Sequence, residues 1–249
     1  MELGEHLRFA EDIAREAGKH TLSYFRRDID VEIKKDRSPV TRADRETEQL
    51  LRSRIEAAYP DHGIAGEEFG VPQTRGKWTW VVDPIDGTQA FIHGVPLYTV
   101  LIALLHDDEP VIGVIHNPAL DETVSAAVGA GAHYNGRTCR LRACSSLDEA
   151  EVCTTDFVSL AHDAPSLHRH IVETAPFGRT WADGYGYLLL ASGRIDVMVD
   201  PVMSIWDVAP MYPIVEESGG TITDLSGKRS PLGESVIAAH PRLHGALLR

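Results

Sequence analysis

Two aspartates three positions apart are the residues of this sequence best suited to chemistry. Asp83 and Asp86 follow the apolar residues 80–82, and Gly87 and Thr88 come directly after them. A short apolar run of this kind predicts a buried strand, and a glycine permits an unusual backbone turn. Carboxylates at a strand end bind divalent cations, and free N–H groups at a helix start bind phosphate. An Asp-x-x-Asp turn alone is common, however, and is often only structural.

Three further acids occupy comparable positions. Glu67 follows the apolar residues 64–66, Asp200 ends a predicted strand, and Asp207 begins a predicted helix. Mg²⁺ prefers oxygen ligands and binds a few carboxylates together with a substrate phosphate. Two such ions would polarise a phosphate and supply a hydroxide for in-line attack. The sequence shows no Gly-x-Ser-x-Gly elbow, P-loop or His-Glu-x-x-His motif that would indicate a different chemistry.

Helical periodicity and capping residues indicate the elements that carry these acids. Residues 3–26 predict an amphipathic helix, and a second helix begins after the cap Thr41 and continues to about Tyr59. Asp44 lies three residues after Thr41, where an acid completes a capping box. The polar residues 34–39 predict a mobile loop.

The rest of the chain predicts a sheet-rich middle and a mixed C-terminal part. Residues 97–141 predict an antiparallel meander with an Asn-Gly hairpin signal, which makes a Rossmann-type sheet unlikely. A second half begins near residue 151. Its predicted elements are helices at 167–173, 185–192 and 241–248, a helix from 204 to 218, and strands at 195–199, 221–224 and 235–239.

Length, net charge and cysteine content indicate how many domains to expect, which partners are unlikely and in which compartment the protein works. The 249 residues fit one large domain or two packed halves. A formal net charge of −13 argues against nucleic acid and an anionic membrane surface as partners. Three cysteines without a Cys-x-x-Cys pair predict free thiols in a reducing cytosol. The chain shows no apolar signal core or membrane-length run, so we expect a cytoplasmic protein.

Several of these segments together resemble the inositol monophosphatase superfamily. They are Gly66-Glu67-Glu68, residues 80–88, residues 206–209 and residues 216–220. The resemblance implies an Mg²⁺-dependent, Li⁺-sensitive phosphomonoesterase with two or three ions per active site. It also implies a mixed α/β fold of the α+β type, layered as an α-β-α-β-α sandwich like the inositol monophosphatases and fructose-1,6-bisphosphatases. We expect one phosphatase domain, 1–249, with packed halves at about 1–145 and 146–249, and a homodimer.

The resemblance also implies a role for each matching residue. The implied metal ligands are Glu67, Asp83, Asp86, Asp207 and the backbone carbonyl of Ile85. Thr88 would hold and activate the attacking water with Asp44 as its acidic partner, so Thr88, Asp44 and Glu67 are the expected catalytic residues. On spacing alone Asp44 is a capping acid, and the two roles are compatible. The N–H groups of Gly87 and Thr88 would bind the substrate phosphate, and Asp86 is a further expected substrate-binding residue.

Other stretches resemble the histidinol-phosphate phosphatase branch of the superfamily. They are residues 36–44, 60–64 and 182–187, together with Asp200-Pro201. Asp183 and Asp200 would bind the amino group of L-histidinol phosphate, a substrate of histidine biosynthesis. A helix cap at Asp183 and an Asp-Pro turn at Asp200 are the structural alternatives.

The substrate prediction leaves other activities open. An inositol-1-monophosphatase or a broad sugar-phosphate phosphatase is the second expectation, because Ala182 and residues 204–205 depart from the histidinol branch. A nucleotide 3′-phosphatase is disfavoured, since no basic or aromatic platform for an adenine nucleotide is evident. A regulatory metal-binding protein without turnover would have lost Thr88, Asp44 or a ligand, and all are present.

Overall fold

The computed structural model describes residues 3–35, 38–70, 76–181 and 183–248. The helices of this part are α1 (Gly4–Leu22), α2 (Arg42–Ala58), α3 (Thr88–Ile92), α4 (Phe157–Asp163), α5 (Pro165–Thr174), α6 (Gly184–Ala191), α7 (Ile205–Glu217) and α8 (Pro241–Leu247). A single 3₁₀ turn at Leu147–Glu149 joins the two large sheets. None of the described helices is long and apolar enough to cross a membrane.

A seven-stranded sheet forms the first large layer, and its strands follow the chain order. They are β3 (Gly63–Gly66), β4 (Trp78–Asp86), β5 (Thr99–His106), β6 (Glu109–Asn117), β7 (Glu122–Ala127), β8 (Gly131–Tyr134) and β9 (Arg137–Thr138). Strands β3 and β4 are parallel, and every later pair is antiparallel. This confirms the predicted meander.

A five-stranded sheet forms the second large layer, in the order β11-β10-β12-β14-β13. Its strands are β10 (Glu151–Cys153), β11 (Phe177–Arg179), β12 (Val197–Asp200), β13 (Thr221–Thr223) and β14 (Val236–Ala239). A separate hairpin, β1 (Val31–Ile33) with β2 (Pro39–Thr41), lies before α2. It occupies part of the segment predicted as a mobile loop; Asp36 and Arg37 of that prediction lie outside the described residues.

Alternating side chains bury both faces of each large sheet. On β5, Val100 and Ile102 pack toward α1 and α2, whereas Leu101 packs toward α6 and α7. On β12, Met198 faces α6 and α7, while Val197 joins the cluster beneath α4, α5 and α8. Because strand side chains alternate between faces, each sheet needs a helical layer on both sides. The resulting α-β-α-β-α order confirms the expected layered sandwich.

Several element boundaries differ from the expectations. Helix α1 ends at Leu22 rather than near residue 26, where the chain turns. The strand expected to reach Leu141 ends at Thr138. Leu141 instead donates its N–H to the carbonyl of Ser218 at 3.0 Å, after the end of α7. Helix α4 and strand β11 were not predicted.

Candidate active site

A bulge in β4 brings Asp83 and Asp86 to the same side of the sheet. Asp83 pairs with Leu101 and Asp86 with Thr99, so β4 has one more residue than β5 between these pairs. Side chains three residues apart on a regular strand point to opposite faces of the sheet. The extra residue of the bulge turns Asp86 to the same face as Asp83. The N–H of Ile85 donates to Asp83 Oδ1 at 2.9 Å inside the bulge. Both carboxylates are buried.

Helix α7 supplies a third carboxylate from the far end of the chain. Asp207 is the third residue of α7, and its Oδ2 accepts the N–H of the N-cap Ser204 at 2.8 Å. One oxygen each of Asp83, Asp86 and Asp207 lies within 4.8 Å of the others. This is a set of oxygen donors only, which suits a hard divalent cation such as Mg²⁺.

Burial and mutual repulsion raise the pKa values of this group. Burial is the main cause at each member. It raises the pKa of Asp83 well above its usual value, and Glu67 and Asp86 add repulsion. The pKa of Asp207 is likewise raised well above normal by burial and by Asp86. Burial raises the pKa of Asp86 to about 6, although hydrogen bonds from Thr99 and Gly184 oppose the shift. A bound cation would relieve this repulsion.

The pair Thr88 and Asp44 lies beside the three carboxylates. The Thr88 hydroxyl can donate to the Ile85 carbonyl at 3.0 Å or to Asp44 Oδ1 at 3.4 Å. The other oxygen of Asp44 accepts the N–H and the hydroxyl of Thr41 at 2.8 and 2.6 Å. Asp44 therefore completes the capping box of α2 and faces Thr88 at the same time. Burial raises its pKa, against the hydrogen bonds from Thr41.

Glu67 and Glu68 approach the group from the turn after β3. Lys34 Nζ donates to Glu67 Oε1 at 2.9 Å and to Glu68 Oε1 at 2.6 Å. Burial raises the pKa of Glu68 to about 7, in opposition to its bond with Lys34. Burial lowers the Lys34 pKa, but its bonds to Glu68 and Glu67 outweigh this and raise it overall. The ammonium of Lys34 thus offsets part of the negative charge here.

Gly87 links the bulge to α3. Its φ is +80°, a conformation that costs glycine little and other residues more. Thr88 is the first residue of α3, and the first N–H groups of a helix have no partner within it. The start of α3 therefore follows directly after the bulge that carries Asp83 and Asp86, and free N–H groups at a helix start can bind phosphate.

The comparisons with known proteins agree with this geometry. The model of the inositol monophosphatase family matches residues 2–249. The chain belongs to the inositol monophosphatase family. It is therefore a phosphatase, as the resemblance of its motifs implied.

Individual relatives cover almost the whole chain. A histidinol-phosphatase of Chlorobaculum parvum is 44% identical over 94% of this chain and 92% of its own length. The extragenic suppressor protein suhB of Bartonella henselae superposes with a TM-score of 0.92 at 27% identity, over 99% of this chain and 98% of that one. An inositol monophosphatase of Zymomonas mobilis gives a TM-score of 0.88 at 31% identity, over 100% and 98% of the two chains.

The two acids expected on the substrate side occupy different environments in this family member. Asp183 is partly buried, and its carboxylate lies over Gly87: a Cβ atom on Gly87 would be 3.0 Å from Asp183 Oδ2. Asp183 occupies the N-cap position of α6, but its side chain makes no capping hydrogen bond. Its backbone has φ 54° and ψ −154°, which is strained for a residue with a side chain.

Asp200, by contrast, is 1% exposed and already bonded on both oxygens. Oδ1 accepts the N–H of Thr155 at 2.7 Å, and Oδ2 accepts the hydroxyl of Tyr187 at 2.8 Å. The Thr155 hydroxyl in turn accepts the N–H of Asp183 at 3.2 Å. Asp200 is therefore linked to the backbone of Asp183 through Thr155.

Sequence reasoning missed several residues that shape the site. Thr99 and the N–H of Gly184 both donate to Asp86 Oδ2, at 2.7 and 2.5 Å. Lys34 was included only in a loop prediction. Each of these contacts is long-range in sequence, and no local pattern marks it. Only Gly184, directly after Asp183, had a usable signal, since a glycine at a helix start permits close approach of a carboxylate.

Proposed function

We propose that this chain is an Mg²⁺-dependent phosphomonoesterase that hydrolyses L-histidinol phosphate to L-histidinol and phosphate, in histidine biosynthesis. The oxygen-only group of Asp83, Asp86 and Asp207 beside the Thr88–Asp44 pair is the observation that carries the chemistry. The substrate is supported by Asp183 and by the relative of Chlorobaculum parvum that is named a histidinol-phosphatase.

The metal ligands of this proposal are Glu67, Asp83, Asp86, Asp207 and the carbonyl of Ile85. All five offer oxygen atoms, and burial raises the pKa of the three clustered aspartates, as expected for a site built around a cation. When bound, Mg²⁺ supplies Lewis acidity to the phosphate oxygens and lowers the pKa of water.

The chain's own residues position the attacking water and its proton. A water that donates to Asp44 Oδ1 and contacts the Thr88 hydroxyl is held next to the carboxylate group. Burial raises the pKa of Asp44, and a carboxylate with a raised pKa is a better proton acceptor near neutral pH. The N–H groups of Gly87 and Thr88 then bind the phosphate oxygens at the start of α3.

Substrate selection falls to Asp183 in this proposal. Histidinol phosphate carries an amine and an imidazole, and both are cationic when protonated. Asp183 presents a carboxylate over Gly87, next to the expected phosphate position, and it is held there by the Thr155–Asp200 pair. Burial raises the pKa of Asp183 well above normal, and repulsion from Asp86 and Asp200 adds to the shift. A cationic substrate group would relieve that repulsion.

The finer properties of the enzyme are also proposals. We propose two or three Mg²⁺ ions per site, sensitivity to Li⁺, a homodimer, a cytoplasmic location, and one domain with packed halves at about 1–145 and 146–249. The distribution of the sheets supports the last point, because the seven-stranded sheet ends at Thr138 and the five-stranded sheet begins at Glu151.

The decisive experiment measures phosphate release from L-histidinol phosphate and inositol 1-phosphate side by side, with excess Mg²⁺. We expect a kcat/KM for histidinol phosphate at least about tenfold higher, a difference of about 1.4 kcal/mol. Equal or reversed preference would refute the substrate and leave the phosphatase chemistry intact.

Inositol 1-phosphate or a broad set of sugar phosphates is the second candidate, supported by the likeness to the Zymomonas mobilis inositol monophosphatase. Binding of metal without hydrolysis of any ester would refute both.

A further inference from the structure

The turn that carries Glu67 is held by an ion pair on α2 whose acid is buried. Glu48 is fully buried, although it bears a carboxylate. Its Oε2 accepts the backbone N–H of Glu68 at 2.7 Å, and its Oε1 accepts that of Phe69 at 3.3 Å. A buried carboxylate needs such donors, because an unpaired buried charge is costly. Both oxygens of Glu48 therefore point at the residues that directly follow Glu67.

Arg52 completes this arrangement one helical turn further along α2. Its Nε donates to Glu48 Oε1 at 2.8 Å, and its Nη2 donates to the Gly70 carbonyl at 3.1 Å. Gly70 and Gly66 also exchange backbone hydrogen bonds of 2.9 and 3.1 Å. The turn 66–70 is thus closed at its base and bonded to α2 through its N–H groups and a terminal carbonyl.

The fit between Glu48 and the turn leaves no space for an additional side-chain atom. A Cβ atom at Gly66 would collide with the Glu48 carboxylate. The contact makes the position of Glu67 depend on Glu48, because Glu67 lies between Gly66 and the two N–H groups that Glu48 accepts. Lys34 contacts the side chain of Glu67 and balances charge, whereas Glu48 is hydrogen-bonded to the turn through backbone N–H groups.

We propose that Glu48, with Arg52, is a positioning residue that sets the affinity of the site for its metal through Glu67. This assignment rests on the proposed role of Glu67 as a ligand. A carboxylate is required rather than an amide, because the partners of Glu48 among the described residues are all donors: two backbone N–H groups and the Arg52 guanidinium. In Glu48→Gln, the amide NH₂ must face one of these donors, so the turn shifts while the size of the side chain is retained.

The test compares Glu48→Gln with wild type by calorimetric titration of Mn²⁺ or Mg²⁺ without substrate, and by the Mg²⁺ dependence of phosphate release. Residues behind metal ligands typically change metal affinity by about 10–100-fold. We expect a loss of this size in Glu48→Gln, with kcat at saturating Mg²⁺ within about threefold of wild type. A merely structural role predicts a lower melting temperature with unchanged metal affinity, and that result would overturn the proposal.

Matched variants separate this proposal from the proposed function. Glu16→Gln is the control. Glu16 lies 3.2 Å from Arg54, which is on α2 like Glu48, so it also forms an ion pair with that helix. It is partly exposed, however, and has no hydrogen bond to the turn 66–70 among the described residues. The Glu16→Gln variant should bind metal like wild type. Glu67→Gln should lose metal affinity; if it does and Glu48→Gln does not, only the positioning role fails. Unchanged metal affinity in Glu67→Gln would overturn both assignments. If Glu48→Gln does not fold, the same metal titration is carried out on Arg52→Gln. Unchanged metal affinity in Arg52→Gln would then overturn the proposal.

Discussion

Fixed donors orient each carboxylate of the active site without neutralising it. Asp83 accepts from the Ile85 N–H, and Asp207 accepts from the Ser204 N–H. Single neutral hydrogen bonds do not offset the cost of burying a charge, which is why the pKa values stay raised. The group is therefore oriented for a cation and destabilising without one.

Replacement of Asp83 tests this balance at one residue. Asp83→Asn removes a ligand charge, so we expect kcat to fall by about 10³-fold or more, in line with the several kcal/mol that a metal contributes. The same change removes buried repulsion, so the metal-free protein should melt at a higher temperature. Steady-state kinetics and thermal melts in chelator measure both effects. Asp12→Asn, at an exposed position of α1, is the control and should change neither quantity.

Replacement of Asp183 tests substrate selection. A hydrogen bond to a charged group contributes about 1.5–3 kcal/mol, so Asp183→Asn should lower kcat/KM for L-histidinol phosphate by about 10–100-fold. Its kcat/KM for inositol 1-phosphate should change by less than about threefold. Asparagine keeps the size and tolerates positive φ, which limits structural damage. Asp163→Asn, at the exposed end of α4, is the matched control. Equal losses on both substrates would contradict a selective role.

Sequence alone identified the clustered acids but not the difference between Asp183 and Asp200. The motif around Asp83 and Asp86 marked these two residues, and the family resemblance added Asp207 as a third metal ligand. The structure brings all three together. Burial of Asp200 depends on Tyr187 and on Thr155, which lies 45 positions away. Such contacts have no local signature, so the sequence assigned the two acids the same role and did not predict that Asp200 is hydrogen-bonded within the protein.

At the scale of elements, the bulge of β4 and the start of α3 form one unit. The bulge aligns Asp83 with Asp86, and Gly87 redirects the chain into α3 with a φ of +80°. The strand, the bulge and the helix start therefore have to be correct together for the carboxylates to lie beside the N–H groups that we propose bind phosphate.

Gly87→Ala tests that unit. A Cβ atom would lie 3.0 Å from Asp183 Oδ2 and would also strain the left-handed backbone by about 1–2 kcal/mol. We expect a stability loss of about that size and a larger relative loss of kcat/KM, at least about tenfold. Gly129→Ala is the matched control, because Gly129 has φ +79° and a Cβ atom placed on it would have no described atom within 4 Å. The test measures the melting temperature and the kcat/KM of both variants. Similar losses of activity in the two would contradict a role specific to Gly87.

The elements that sequence predicted best are those with strong local signals. The capped helix α2 and the apolar strands β4 to β7 follow from Thr41, from turn residues and from near-continuous hydrophobic runs. Helix α4 was missed because Leu160 is its only buried residue, so no apolar stripe shows. Strand β11 has three residues, none fully buried, at the edge of its sheet. Its pairing with β10, rather than a hydrophobic pattern in its own sequence, makes it a strand.

At the scale of the whole molecule, the acidic site couples stability to pH and to metal. The folded pKa values of about 6 for Asp86 and about 7 for Glu68 lie above the usual values near 4. The folded state thus binds more protons than the unfolded state between about pH 4 and 7. Stability of the metal-free protein should therefore rise as pH falls from about 8 to 5, on the order of 2 kcal/mol from Asp86.

Excess Mg²⁺ should reverse this dependence, because the metal binds the ionised carboxylates. We expect the stabilisation by Mg²⁺ to be largest near pH 8 and to decline toward pH 5. Thermal melts across this pH range, with chelator and with Mg²⁺, give the measurement. Asp86→Asn should make the metal-free curve less steep, and Glu68 should still contribute to it. A metal-free melting temperature that falls with decreasing pH over this range would contradict the assignment of the raised pKa values.

The position of α7 along the chain has a consequence for biosynthesis. The seven-stranded sheet is complete in a nascent chain once Thr138 has been made, whereas the helix that covers one of its faces starts at Ile205. Until then Leu101, Ile115 and Val124 have no cover from that helix. Exposed apolar sheet surface promotes aggregation and attracts chaperones. A chain released by the ribosome between residues 138 and 205 should therefore be insoluble, although it contains every strand of that sheet.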